Sequence, residues 1–314
     1  MPVSGVLCSG SINYDIVVRP VEAPQWGTTT FVDTIDFLVG GNGANTSLAL
    51  ATLGIPTRLA GAIGCDEPAR FLLETLLDAG VDTCGVEPCQ EPTSTTIVMI
   101  NCEGNRKFLN RPGSSGIAFA HPVDFDERLL AGMAHFHMAS LFILPRLRHS
   151  APETLRRARA AGLATSLDTT WDPLGQWMDA LAPCLPLLDH LFMNEDEARM
   201  ATGSADPAAA AHEVLRRGVR TAVMKLGSQG CAIFTGSEEI HIPAFEVECV
   251  DTTGAGDCFV AGFLSALMRG GSLEEAGRMG NAAGALAVRQ VGAVTGVRGL
   301  EETLAWMTQA RIRP

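Results

Sequence analysis

The stretch DTTGAGDCFVAGF, residues 251–263, sets a carboxylate, Asp257, where a run of threonine and glycine gives way to an apolar segment. The strand-like run Phe245 to Val250 precedes it, Thr252 to Gly256 form the turn, and Cys258 to Leu267 read as a helix. The first N–H groups of a helix have no intrahelical acceptor, and small residues let an anion come close to them. Phosphoryl transfer needs such an anion nest, and beside it a base within reach of the attacking hydroxyl. Gly254, Ala255 and Gly256 supply the first and Asp257 the second. The plainer reading is a glycine turn followed by a carboxylate that complements the helix dipole.

Outward from this junction the chain alternates strand and helix. His135–Ala139, Leu163–Asp168, His190–Met193 and Thr221–Leu226 read as strands; Val3–Cys8 and Arg58–Ile63 do so nearer the start. Ser150-Ala151-Pro152-Glu153 reads as a capping box opening a helix that ends near Gly162. Asp66 reads as the cap of a helix ended by Gly80. Such alternation predicts an α/β fold, a mostly parallel sheet with helices on both faces. Residues 12–38 and 93–110 carry extra antiparallel strands, including a hairpin around Cys102–Asn105, which predict a small sheet beside the main one.

Ligands of open parallel sheets bind beyond the carboxyl ends of the strands, so polar residues there are the candidates. Gly40-Gly41-Asn42-Gly43-Ala44-Asn45 joins a strand to a helix; its amides, Asn42 and Asn45, suit sugar hydroxyls or simply start the helix. Asp15 follows the first strand and is placed to accept from vicinal hydroxyls, or to shape a turn. Asn194-Glu195-Asp196-Glu197 suits a hydrated Mg2+ or a helix cap. Lys225-Leu226-Gly227-Ser228-Gln229-Gly230 places a lysine at a strand end, for phosphate or for solvent. No GxxxxGK[ST] and no GxGxxG occurs. His135 and His137 lack a third ligand at zinc spacing.

Composition narrows the field. The 314 residues are 46% hydrophobic and 18% charged, which predicts one large domain, 1–314. A net charge of -12 with no basic run argues against nucleic acid. No signal peptide and no membrane-length apolar run is read, and the nine cysteines lack a CxxC pair. Most sit in apolar runs and read as reduced core thiols, so the chain is expected in the cytoplasm.

GGNGAN, NEDE, KLGSQG and DTTGAGDCFVAGF, in this order, resemble the ribokinase-like, phosphofructokinase B type, sugar kinase family over about residues 3–298. The resemblance implies a central sheet between helices and a small β-sheet lid. It implies transfer of the ATP γ-phosphoryl group to a hydroxymethyl group of a sugar, with Mg2+. Asp257 would be the base and Gly254, Ala255 and Gly256 the anion hole. Asp15, Gly41, Asn42 and Asn45 would bind the sugar; Asn194 and Glu197 would order Mg2+ through water. Lys225, Gly227, Gly230, Asn194 and Asn281 would lie along the nucleotide. Asp251, Thr253 and Gly292 match a loop that holds a monovalent cation, so K+ stimulation is an implied expectation, as is a homodimer through the lid.

The chain departs from ribokinases, which read GGKGAN, at Asn42. A nucleoside kinase of the same fold is the rival, and a non-catalytic sugar- or nucleotide-binding regulator a further one. Arg106 reads as a solvated hairpin charge, with recognition of an acidic or phosphorylated sugar as the alternative. His137, Leu141 and Phe142 follow a central strand and are candidates for the pocket wall.

Overall fold

The computed structural model describes residues 3–313. Thirteen strands carry it: β1 (Gly5–Ser9), β2 (Asn13–Arg19), β3 (Thr34–Gly40), β4 (Thr57–Ile63), β5 (Val81–Pro88), β6 (Thr95–Ile100), β7 (Arg106–Arg111), β8 (Met133–Met138), β9 (Ala164–Asp168), β10 (His190–Asn194), β11 (Thr221–Lys225), β12 (Cys231–Phe234) and β13 (Glu239–Ile242). Strand β1 shows why the chain layers. Successive side chains point to opposite faces, so Leu7 enters one core and Val6 and Cys8 the other. The first core receives the helix Leu147–Ala160 through Ala151, Leu155 and Ala158. The second receives the helices Asn42–Thr52 and Ala255–Met268. A strand buried on both faces must be apolar throughout, which is why β1 and β10 read as short continuous runs.

The main sheet has nine strands in the order β13-β12-β11-β10-β9-β8-β1-β4-β5. It is parallel from β11 to β5; β12 and β13 add antiparallel at one edge. A second sheet, β3-β2-β6-β7, stands apart. Its register sets Asp15 opposite Thr96 and Val98 opposite Phe108. Alternation then puts Asn13, Asp15, Thr96, Val98, Phe108 and Asn110 on the face that lines a cavity. The other face exposes apolar groups, with Ile35 54% and Leu109 50% accessible.

Three local readings change. The alternating run Thr28–Val39 reads as one strand, yet residues 28–33 lie outside any strand and β3 begins at Thr34. Phe245–Val250 is not a strand: only Phe245 bridges, to Ile312, and β13 already ends at Ile242. Ser150 is not a cap, because its helix starts at Leu147 and Ser150 donates instead to the carbonyls of Phe119 and Leu147. The helix extends backwards because Leu147 is buried and Arg148 is tied to Asp172 and to the Phe142 carbonyl. Pro152, whose ring would favour a first turn, stays inside the helix. Asp66 does cap, accepting from the Ala69 N–H at 3.1 Å. No helix among the described residues is long and apolar enough to cross a membrane.

Candidate active site

Asp257 stands in the first turn of the helix Ala255–Met268 and is 5% exposed. Its two oxygens accept from Asn42 Nδ2 and Asn45 Nδ2, each at 2.8 Å. Asn42 is fixed in turn, since its Oδ1 accepts from Ser140 Oγ at 3.0 Å. Burial pushes the Asp257 carboxyl up to about 6, against the two amide hydrogen bonds that pull it down. Near neutrality Asp257 is therefore largely ionised, with a proton affinity above that of an ordinary carboxylate. The amides read as sugar ligands line the same cavity, yet each uses one amide nitrogen on Asp257. Asn45 Oδ1 is buried without a partner.

No side chain caps this helix, and the N–H groups of Gly254, Gly256 and Asp257 have no protein acceptor among the described residues. Gly254 has φ 70°, and a Cβ there would lie 2.5 Å from Ala293, so only glycine fits the turn. The turn divides two cavities. One, about 370 Å3, is lined by Asp15, Asn42, Asn45, Thr253, Gly254 and Asp257. The other, about 330 Å3, is lined by Lys225, Gly227, Gly230, Ala255, Gly256 and Asn281 among others, and is mostly apolar. Unpaired N–H donors thus sit between a polar cavity and an apolar one, an arrangement able to hold an anion.

Lys225 ends β11 beneath that turn. It is 13% exposed, and its Nζ meets Asp168 Oδ1 at 2.6 Å. Burial opposes its charge, but Asp168 and Glu197 outweigh burial and raise its proton affinity. The ammonium lies close to Gly256, whose added Cβ would stand 3.4 Å from Nζ. Lys225 is therefore a paired, buried cation next to the Gly254–Asp257 turn rather than a solvated strand end. Asn194 and Glu197 form a reciprocal cap: Asn194 Oδ1 accepts from Glu197 N, and Glu197 Oε2 from Asn194 N. Thr169 Oγ1 also donates to Oε2, at 2.8 Å. Glu197 Oε1 accepts no hydrogen bond, and burial raises the carboxyl's proton affinity. No group of three or more His, Cys, Asp or Glu among the described residues could hold an ion directly, which fits Mg2+ only as a hydrated ion carried with phosphates.

Asp15 reaches the polar cavity from the second sheet. Its Oδ1 is buried without a partner, and burial pushes its carboxyl up to about 7. Gly40 makes room for it, since a Cβ there would lie 2.0 Å from Asp15 Oδ2. Gly41 caps the helix Asn42–Thr52 with φ 89° and packs against the Ser11 carbonyl. On the apolar side, Asn281 lines the cavity but donates its amide to the carbonyls of Ile242 and Pro243, both at 3.1 Å.

Arg106 is not a solvated hairpin charge and does not face the polar cavity. Its Nη2 meets Asp251 Oδ1 at 2.8 Å, and its Nη1 donates to Thr253 Oγ1 at 3.0 Å and Thr252 Oγ1 at 3.3 Å. Asp251 also accepts from Thr253 N at 2.7 Å and from Gly292 N at 3.0 Å. Asp251, Thr253 and Gly292 are brought together as expected of a cation loop, but the charge they hold is a guanidinium. Both carboxylate oxygens are engaged by donors, and this set does not fit a second cation in contact with Asp251.

His137, Leu141 and Phe142 are at most 1% exposed and belong to the interior; the cavity wall is made instead by Ile143 and Leu144. His135 and His137 both meet Ser166 Oγ, at 2.7 and 2.8 Å, and burial holds them neutral. The sequence reading passed over Asp168, Phe108 and Ser140. Asp168 was findable, because it ends a parallel strand as Lys225 and Asn194 do. All nine cysteines are free, but only Cys8, Cys184, Cys231 and Cys258 are buried, fewer than their apolar neighbours imply.

Comparison with known proteins shows the family and the fold. The chain is 31% identical over 305 residues to ribokinase of Arabidopsis thaliana, covering 91% of this chain and 76% of that one. It is 30% identical over 270 residues to aminoimidazole riboside kinase of Salmonella typhimurium, covering 82% and 83%. The solved structure of Arabidopsis thaliana ribokinase complexed with ribose and ATP superposes with a TM-score of 0.84 at 29% identity, covering 97% and 99%. Residues 4–298 match the model of the pfkB family carbohydrate kinases, and the chain belongs to that family.

Proposed function

We propose that this kinase transfers the γ-phosphoryl group of Mg-ATP to a hydroxymethyl group of a small uncharged sugar. The observation that carries the reading is the position of the turn Gly254–Asp257 between two cavities, with Asp257 facing the polar one. In this reading the sugar lies over Asp257, and Asp15 accepts from its hydroxyls. Asn45 Oδ1, buried and unpartnered, is a further acceptor for it. Asp257 takes the proton of the attacking hydroxyl, and the N–H groups of the turn, with Ala255 at its start, stabilise the charge that develops on the transferring group. Lys225 adds fixed positive charge below the turn. Asn42 and Asn45 keep Asp257 aimed.

The nucleotide lies in the apolar cavity, along Gly227, Gly230 and Asn281. When bound with it, Mg2+ would supply positive charge that offsets the charge of the phosphates. Glu197 Oε1 and Asn194 are the protein groups to hold its waters. The second sheet acts as a lid that excludes water from the transfer. Its exposed outer face, with Ile35 and Leu109, is proposed to pair with a second copy.

Among the described residues, no arginine, lysine or histidine lines the polar cavity, which speaks for a neutral acceptor over a sugar acid or sugar phosphate. A second reading has one observation in its favour. Phe108, Val98, Ile143 and Leu144 give that cavity an apolar side, which suits a riboside with an apolar or aromatic aglycone. ADP release with Mg-ATP across pentoses, ketohexoses, ribonucleosides, sugar acids and sugar phosphates tests both. Fast turnover of a neutral pentose or ketohexose supports the first reading. A preference for a riboside supports the second, and a preference for an anionic sugar overturns both.

A further inference from the structure

The contact between Arg106 and Asp251 has no part in the chemistry above, yet it joins the second sheet to the loop before Gly254. Arg106 opens β7, on the same face as Phe108 and Asn110, so alternation aims it at the main domain. Asp251 begins the turn that ends at Asp257, and its side chain is 5% exposed. The guanidinium bonds the carboxylate of Asp251 and the hydroxyls of Thr252 and Thr253, three consecutive residues immediately before Gly254. An arginine fork with several acceptors fixes geometry as well as charge.

We infer that Arg106 replaces a bound monovalent cation at this loop, supplying from the lid the positive charge that holds the anion-binding turn in shape. The carboxylate is already engaged on both oxygens, and a K+ ion touching it would meet the guanidinium as a like charge. Burial raises the proton affinity of Asp251, but the Gly292 and Thr253 donors and Arg106 outweigh it, so the carboxyl stays below its usual range. A cavity of about 410 Å3, bounded by Arg19, Asp33, Ile100 and Val250, adjoins the pair and gives the guanidinium space to withdraw when the lid lifts. The turn is then complete only with the lid in place, which ties the anion hole to acceptor closure. Arg106 is a positioning residue, acting through Asp251.

The first test needs neither a substrate nor a variant. Thermal melts of the wild-type protein in KCl and in choline chloride, at equal ionic strength, are expected to give the same Tm. A K+-specific rise in Tm overturns the proposal, whatever the substrate proves to be. The second test uses Arg106→Met, which keeps length and removes charge. Its kcat in choline is expected to fall roughly ten- to a hundredfold, the scale of a lost charged hydrogen-bond set. K+ is expected to restore part of that rate and to raise the variant's Tm, while Arg106→Lys keeps most of the rate without K+. A variant Arg106→Met that keeps the wild-type rate in choline, or that loses it with no K+ response in rate or Tm, overturns the proposal.

Discussion

Asp257 and Asp15 are two carboxylates on one cavity, and their surroundings differ. Asp257 belongs to the main domain; both of its oxygens are held by amides, and one of those amides is itself fixed by Ser140. Asp15 belongs to the second sheet, and its buried Oδ1 has no partner among the described residues. Burial raises both carboxyls, to about 6 and about 7. In the proposed reading, the difference separates a group oriented in advance from a group left for the acceptor to satisfy. A buried acceptor without a donor is costly, so a substrate hydroxyl that reaches Asp15 gains what the free protein lacks.

The comparison can be broken most directly at Asp257. Asp257→Asn is expected to lower kcat by roughly a hundred- to ten-thousandfold, the range of general base catalysis, while ATP affinity measured by calorimetry holds. The amide fits, because Asn45 can turn its own amide over, its Oδ1 having no partner to lose. A wild-type kcat would remove Asp257 from the chemistry. Asp15→Asn is expected to act on KM instead, raising it roughly ten- to a hundredfold with kcat little changed. If kcat falls and KM holds, the two carboxylates do not divide the work this way.

The pH profile of kcat/KM sharpens the contrast, because it reports the free enzyme. Both groups work ionised, so activity is lost as pH falls. The loss is expected to begin near pH 7, as Asp15 takes up a proton, and to steepen below about pH 6, as Asp257 does. Asp15→Asn should remove the upper limb alone. A wild-type profile flat down to pH 5 would contradict both values. The smallest effect is expected at the base of the lid. Asp66 caps the helix Glu67–Asp78 and also accepts from Thr93 N at 2.9 Å, just before β6. Asp66→Ala should cost about 1 kcal/mol in urea unfolding, as a lost N-cap does. A larger change in acceptor KM than in stability would show that this contact sets the lid rather than the helix.

The parts of the site legible in the sequence are strand-to-helix junctions. GGNGAN, NEDE and TGAGD each carry their geometry in a few adjacent residues, because helix ends and glycine turns are local events. The Ser150 cap and the Phe245–Val250 strand were misread for the converse reason. A buried arginine pair drew the helix start back to Leu147, and a strand-like pattern found no edge to pair with beyond β13. Both outcomes depend on contacts outside the short stretch that was read, the first on Asp172 and the second on sheet pairing.

By itself the sequence determined the α/β alternation, the second sheet, the family, and the residues at the junctions. Tertiary structure alone decided what those residues do to each other. It spent the Asn42 and Asn45 amides on Asp257, set Lys225 on Asp168, left Asp15 Oδ1 open, and brought Arg106 onto Asp251. The physical reason is separation. Local backbone preference is written in neighbouring residues, whereas the partner of a buried charge is fixed by sheet register and packing between segments more than fifty residues apart.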